Sequence, residues 1–331
     1  RLILIFINCP HMRRFPLVPA ILLLVVALFT NCASPLAANT PPDQQPAPGI
    51  EGRWDITIYD DGKVYPSWLE VFHSGTKRLI GHYVGISGSA RPISKINFKD
   101  GKMSFTIPPQ WEEEDNDLSF EASLQGDSLA GTLVAANGKS YKWSGRRAPS
   151  LHRDNDVVWG EPVQLFNGKN LDGWRAMGDN QWVVESGVLK SPRSGANLVT
   201  EKTFNDFKLH AEFRCPKGSN SGLYLRGRYE VQIEDSKGKD PQKDLLGAVY
   251  GFIKPSDMPA KDAGEWQTYD ITLVGRMVTI VLNGKQVVCN QEIPGITGGA
   301  LDSREGEPGP IMIQGDHGPI EFRKITITPA R

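Results

Sequence analysis

From Trp54 onward the chain is cut into short runs of alternating apolar and polar residues, and no long apolar helical period interrupts them. Successive strand residues face opposite sides of a sheet, so such runs fold as half-buried strands. Between them stand Asp60-Asp-Gly62, Lys99-Asp-Gly101, Gln125-Gly-Asp127, Asn137-Gly138 and Asn283-Gly284. These are turn dipeptides and tripeptides whose Gly and Asn tolerate positive φ. With 34 Gly and 24 Pro, the expectation is an all-β protein with many turns.

A chain of 331 residues can hold two cores. The first set of strands is predicted at 54–58, 67–72, 79–84, 102–107, 118–124, 128–134 and 141–145. Short strands in hairpin succession predict a small antiparallel β-barrel-like domain over residues 50–147. The acidic run Glu112-Glu-Glu-Asp-Asn-Asp117 reads as a solvated loop within it. A polar linker follows at 148–157. Residues 158–329 then carry strands at 182–185, 187–190, 207–214, 268–274, 277–282, 285–289 and 320–328, besides those of the 220–236 stretch. That density predicts a two-sheet jelly-roll sandwich. There is no internal repeat and no βαβ unit.

The N-terminal residues read as an address. Met12-Arg13-Arg14 followed by the apolar run Leu17 to Phe29 has the n-region and h-region of a signal peptide. Phe29-Thr-Asn-Cys32 resembles a lipobox, which makes Cys32 a candidate for lipidation and membrane anchoring. Cleavage near Ala37-Ala38 is the alternative. Residues 1–38 are thus expected to be a leader and 39–49 a Pro-rich tether. On either cleavage the protein is expected to be exported, as a periplasmic protein or, through Cys32, a cell-surface lipoprotein. Charge is balanced, 37 basic against 38 acidic residues, with no basic stripe, so nucleic acid is not an expected partner. The body keeps two cysteines, Cys215 and Cys289, both in predicted strands. A disulfide between them and two buried thiols are both open, and neither lies in a metal-ligand spacing.

The stretch Asn220 to Ser236 carries most of the candidate chemistry. It reads as two strands around Gly227. Leu223, Leu225, Val231 and Ile233 fall on one face. Tyr224, Arg226, Glu230, Gln232 and Glu234 fall on the other. An arginine, two carboxylates, an amide and a phenol on one face suit a cleft for a polar ligand, with a solvated face as the plain alternative.

Leu165-Phe-Asn-Gly-Lys-Asn-Leu-Asp-Gly-Trp174, Trp182, Asn220 to Arg226, Tyr229 to Asp235, Glu265-Trp-Gln267, Asn283-Gly-Lys285 and Asp316 to Arg323 together resemble the 3-keto-disaccharide hydrolase family over residues 159–329. The resemblance implies a concanavalin-A-like jelly roll in an exported protein of a carbohydrate-degrading bacterium. It also implies cleavage of glycosides already oxidised to a ketone at C3. One departure is Gln314-Gly-Asp-His317, since the family more often sets Gln nearer its histidine-glycine pair.

A C3 ketone acidifies the C2 proton, so the site would need a base, an electrophile for the ketone oxygen and a proton donor for the leaving oxygen. Glu230 and His317 are the candidate bases. Arg226 is the candidate oxyanion partner. Gln232 and Gln314 suit sugar hydroxyls, because an amide both donates and accepts. Tyr224, Trp266 and Trp182 are candidate stacking platforms, and Glu234 and Asp316 complete the substrate-binding set. No cofactor is required by this scheme, but a divalent cation held by Glu230, Asp316 and His317 could polarise the ketone instead. A non-catalytic carbohydrate-binding protein on the same jelly roll is the competing reading.

Overall fold

Eight strands in chain order, β1 (Gly52–Asp60), β2 (Lys63–Ser74), β3 (Arg78–Val84), β4 (Arg91–Lys99), β5 (Lys102–Ile107), β6 (Leu118–Gln125), β7 (Ser128–Val134) and β8 (Ser140–Arg147), pair with their neighbours. β8 returns to β1, so the sheet closes as an up-and-down barrel without free edges. This computed structural model describes residues 49–331, so the leader, Cys32 and nearly all of the tether lie outside it. Inward residues of the barrel alternate with outward ones. Trp54, Ile56 and Ile58 of β1 meet Leu69, Val71, Phe105, Phe120 and Trp143 in its core.

After the barrel come β9 (Val163–Gln164), β10 (Trp174–Ala176), β11 (Val183–Glu185), β12 (Val188–Ser191), β13 (Leu198–Phe204), β14 (Phe207–Arg214) and β15 (Asn220–Leu225). The series ends with β16 (Tyr229–Glu234), β17 (Gln267–Val274), β18 (Met277–Leu282), β19 (Lys285–Glu292), β20 (Gly309–Ile313) and β21 (Ile320–Pro329). One sheet runs β10-β13-β20-β15-β16 and the other β11-β12-β21-β14-β17-β18-β19, with β9 on β21. Phe207, Leu209, Ala211 and Phe213 of β14 face Leu223, Leu225, Val231 and Ile233 across a common core. This is the expected sandwich, and the described residues form no helix.

β4 escapes sequence patterning because Pro92 sits in its second position, and proline demotes a strand reading. The ladder accommodates it near the strand start, where Pro92 stands opposite His82. Among the described residues Cys215 and Cys289 form no disulfide: Cys215 is buried, whereas Cys289 is exposed on β19.

Residues 49–331 belong to one compact unit in which barrel and sandwich share a seam. Trp68 points out of the barrel, joins the sandwich core and meets Phe252 edge to face at 5.4 Å. A tryptophan buries roughly 150–250 Å², worth about 4–6 kcal/mol at ~25 cal/mol per Å². Beside it the outer face of β1 carries Asp55, which confronts the Glu305 carboxylate. Glu305 is fully buried. It holds Arg276 Nη2 at 2.7 Å and accepts from the Tyr229 hydroxyl at 2.6 Å. Burial and the Glu305 charge push Asp55 up to about 9, so Asp55 keeps its proton. The expected linker is also pinned: Arg276 donates to the Pro149 carbonyl at 2.8 Å and Arg153 binds Asp206 at 2.7 Å.

Candidate active site

The β15–β16 hairpin puts its apolar residues into the sandwich core and its polar ones on the outer face of the five-stranded sheet. Tyr224 and Glu230 are direct cross-strand partners, as are Gly222 and Gln232. Gly222 is required by this pairing, because a methyl group there would overlap the Glu230 carboxylate. Tyr224 rests on Val199 and Met312 in a small apolar patch of the same face. Residues 247–250 cover the outer edge of β16: Tyr250 N donates to the Glu230 carbonyl at 3.0 Å and Gln232 N to the Ala248 carbonyl at 3.0 Å.

A cavity of about 150 Å³ opens over this face. Tyr224, Glu230, Gln232, Gln314, Asp316 and His317 line it. Glu230 is 4% exposed, and burial raises its carboxyl to about 8. The Tyr224 hydroxyl lies 2.9 Å from Glu230 Oε2 and 2.9 Å from the Gly298 carbonyl. A phenol has one proton. When Glu230 is neutral it can donate to Tyr224, which donates onward to Gly298. When Glu230 is ionised the phenol turns to it and Gly298 loses its donor. Burial and the Glu230 charge hold the Tyr224 phenol well above its ordinary value, so it remains protonated.

His317 is half-exposed at the rim. Its Nδ1 lies 2.6 Å from Asp316 Oδ1, and that carboxylate, followed by Glu230, raises the imidazole above its ordinary value. Three buried amide oxygens of this site, Asn220 Oδ1, Gln232 Oε1 and Gln314 Oε1, have no protein partner. Buried acceptors without donors are costly, and in a cavity they suit a hydroxylated ligand.

Other expected residues are elsewhere. Arg226 has left the strand: with φ of +55°, beside Gly227 at +66°, it forms the hairpin turn. The left-handed backbone breaks the alternation that would have set it beside Tyr224. Its guanidinium lies 5.1 Å from the Tyr229 ring centre and donates to the Gly275 carbonyl at 2.8 Å. Trp266 carries the Arg214 and Arg323 guanidinium groups at 4.7 and 4.6 Å from its ring, out on the opposite sheet, and Trp182 is buried in the sandwich core. Glu234, at the end of β16, pairs with Lys239 at 2.8 Å and does not line the cavity. Among the described residues no three His, Cys, Asp or Glu side chains are grouped to hold a metal ion. Of the three residues considered for a cation, Asp316 is turned to His317 and Glu230 to Tyr224.

Patterning also missed half of the walls. Asn197, Asn220 and Tyr250 line the cavity, and so do Gly298 and Gly299. Ser87 and Gly88 come from the barrel, on the loop between β3 and β4. Gly299 N donates to the Ile86 carbonyl at 2.9 Å, and a methyl group on Gly298 would overlap the Gly88 backbone. No local signal could have brought these residues together, since the two loops are about two hundred residues apart in sequence.

Residues 161–328, just over half of the chain, match the 3-keto-alpha-glucoside-1,2-lyase-like domain. The chain belongs to this family. The lyase-like domain spans the sandwich and begins after the barrel. A 3-keto-disaccharide hydrolase of Bacteroides thetaiotaomicron is 29% identical over 141 residues, 39% of this chain and 46% of the relative. The match thus spans about half the length of that relative. A Parabacteroides distasonis structure solved as a candidate glycosyl hydrolase is 27% identical, covering 54% of this chain and 93% of its own at a TM-score of 0.44. A second from the same organism is 26% identical, with 51% and 98% covered and a TM-score of 0.41.

Proposed function

We propose that this protein cleaves glycosides whose sugar carries a ketone at C3. The observation that carries the reading is a buried carboxyl at about 8, Glu230, in a small cavity with a half-exposed histidine and three unpartnered amide oxygens. A general base works best with a pKa near the operating pH, and burial has moved Glu230 there. Ionised Glu230 takes the C2 proton, and the ketone becomes an enediolate. Its oxygen is met by neutral donors, the Tyr250 phenol and the side-chain amides, in the role foreseen for Arg226. As the C1–O bond breaks, the imidazolium of His317 gives its proton to the departing oxygen, and C1 and C2 become doubly bonded. Water then adds across that bond, hydroxyl to C1 and proton to C2. The net reaction is hydrolysis, and release before hydration is the lyase outcome. The family membership and the hydrolase name of the Bacteroides relative support the substrate class. The basic and apolar leader read from Met12 to Phe29 supports action outside the cytoplasm, with Cys32 as the candidate anchor.

The test is turnover of methyl 3-keto-glucoside in heavy water by wild type, Glu230→Gln and His317→Ala. Glu230→Gln should lower the rate on the order of a hundredfold, and the product sugar should carry deuterium at C2. Undiminished turnover in both variants with no deuterium would return the carbohydrate-binding reading to first place.

A further inference from the structure

The barrel has a larger cavity of its own, about 430 Å³, at the mouth beside the β3–β4 loop. Trp111, Tyr141 and Ile86 give it apolar surface, and Arg91, Gln110 and Asn137 give it hydrogen-bonding groups. Trp111 is 70% exposed, the most open large hydrophobic side chain among the described residues. It is nonetheless positioned. Glu112, foreseen as part of a solvated loop, folds back so that its Oε2 accepts from the backbone N of Gln110 at 2.6 Å and of Trp111 at 3.0 Å. Gln110 in turn binds the Ser89 hydroxyl at 2.7 Å. Arg91 is 7% exposed, and its Nε has no partner.

Ser87 lines both this cavity and the one over Glu230. Gly88, next to it, is pressed between the two: a methyl group there would overlap the Trp111 ring, while Gly298 backs it from the sandwich. A cavity of about 150 Å³ is half the lower end of ordinary ligand sites, roughly 300 Å³. It is sized for one sugar ring. Whatever is attached to C1 of that ring must lie outside, and the barrel mouth is one residue away.

We infer that the barrel mouth is the leaving-group subsite of the same substrate, with Trp111 as the platform for a ring that has an apolar face and a hydroxylated edge. This rests on the proposed function. An aryl group and a second sugar share that chemistry, and the test separates them. Stacking on the indole is worth about 0.5–1.5 kcal/mol, or about two- to twelvefold in kcat/KM.

The full chain is assayed on methyl 3-keto-glucoside, 4-nitrophenyl 3-keto-glucoside and a 3-keto-disaccharide. In Trp111→Ala the kcat/KM ratio of the nitrophenyl to the methyl substrate should fall by that factor, and Trp111→Phe should restore most of it. A parallel fall for the disaccharide assigns the subsite to rings in general, and a fall for the nitrophenyl substrate alone assigns it to aryl groups. Calorimetry on Glu230→Gln, with and without Trp111→Ala, measures binding of the same probes without turnover. If the ratios and affinities do not respond to Trp111, the subsite is overturned while the Glu230 chemistry stands. If no substrate turns over but Trp111 still selects the nitrophenyl probe, the reaction is wrong and the subsite stands. If no probe binds, both fall.

Discussion

Removing the Tyr224 hydroxyl should move the pH profile of catalysis towards alkali. In Tyr224→Phe the ring stays on Val199 and Met312, and two bonds of 2.9 Å are lost, one to the Gly298 carbonyl and one to Glu230 Oε2. That bond stabilises the ionised carboxyl, so its loss raises a value that already stands at about 8. A hydrogen bond to a charged group contributes about 1.5–3 kcal/mol. At about 1.4 kcal/mol per pKa unit, the shift is roughly one to two units. At pH 7 the ionised fraction would fall from about a tenth to between about a hundredth and a thousandth, with kcat/KM following. Above about pH 10 the variant should approach wild type, because both carboxyls are then ionised. The assay is kcat/KM on methyl 3-keto-glucoside from pH 6 to 11. A limb that stays near 8, or moves towards acid, would refute the assignment of Glu230 as the base held by Tyr224.

Three further outcomes follow from the packing. Asp55 keeps its proton in the fold up to about 9 against an ordinary 3.8, so the stability it confers is complete in acid and drains away as pH rises through that window. Asp55→Asn should therefore raise Tm more at pH 8 than at pH 5, and a larger gain at pH 5 would contradict it. Trp68→Ala removes the aromatic key of the seam and should cost about 3–5 kcal/mol in urea unfolding, with a cost under about 1 kcal/mol showing that the seam is held elsewhere. Gly222→Ala should abolish turnover while leaving the fold measurable by circular dichroism, since the added methyl meets the Glu230 carboxylate rather than the core. Retained turnover would show that this carboxylate is free to move.

How far the sequence speaks depends on distance along the chain. Tyr224, Glu230 and Gln232 were legible because strand alternation is local and β15 and β16 keep it without a bulge. Arg226 was not, because the positive φ at Arg226 and Gly227 cancels the rule that placed its neighbours. Trp266 looked like a sugar platform by residue type, yet two guanidinium groups lie over its ring. His317 came through resemblance alone. The barrel and the sandwich were both visible as strand sets. Their joint was not, since Trp68 sits in an alternating strand like any other outward residue and only a second body makes it core.

The backbone contact between Gly88 and Gly298 has a consequence for heat. A wall shared by two folded bodies vanishes when they part, even if each keeps its strands. Activity should then disappear at the temperature where the seam opens, ahead of any loss of β signal. Such a gap between inactivation and melting would mark the protein as one whose working lifetime is set by a joint, and whose thermal hardening belongs at Trp68 and Glu305 rather than in either core.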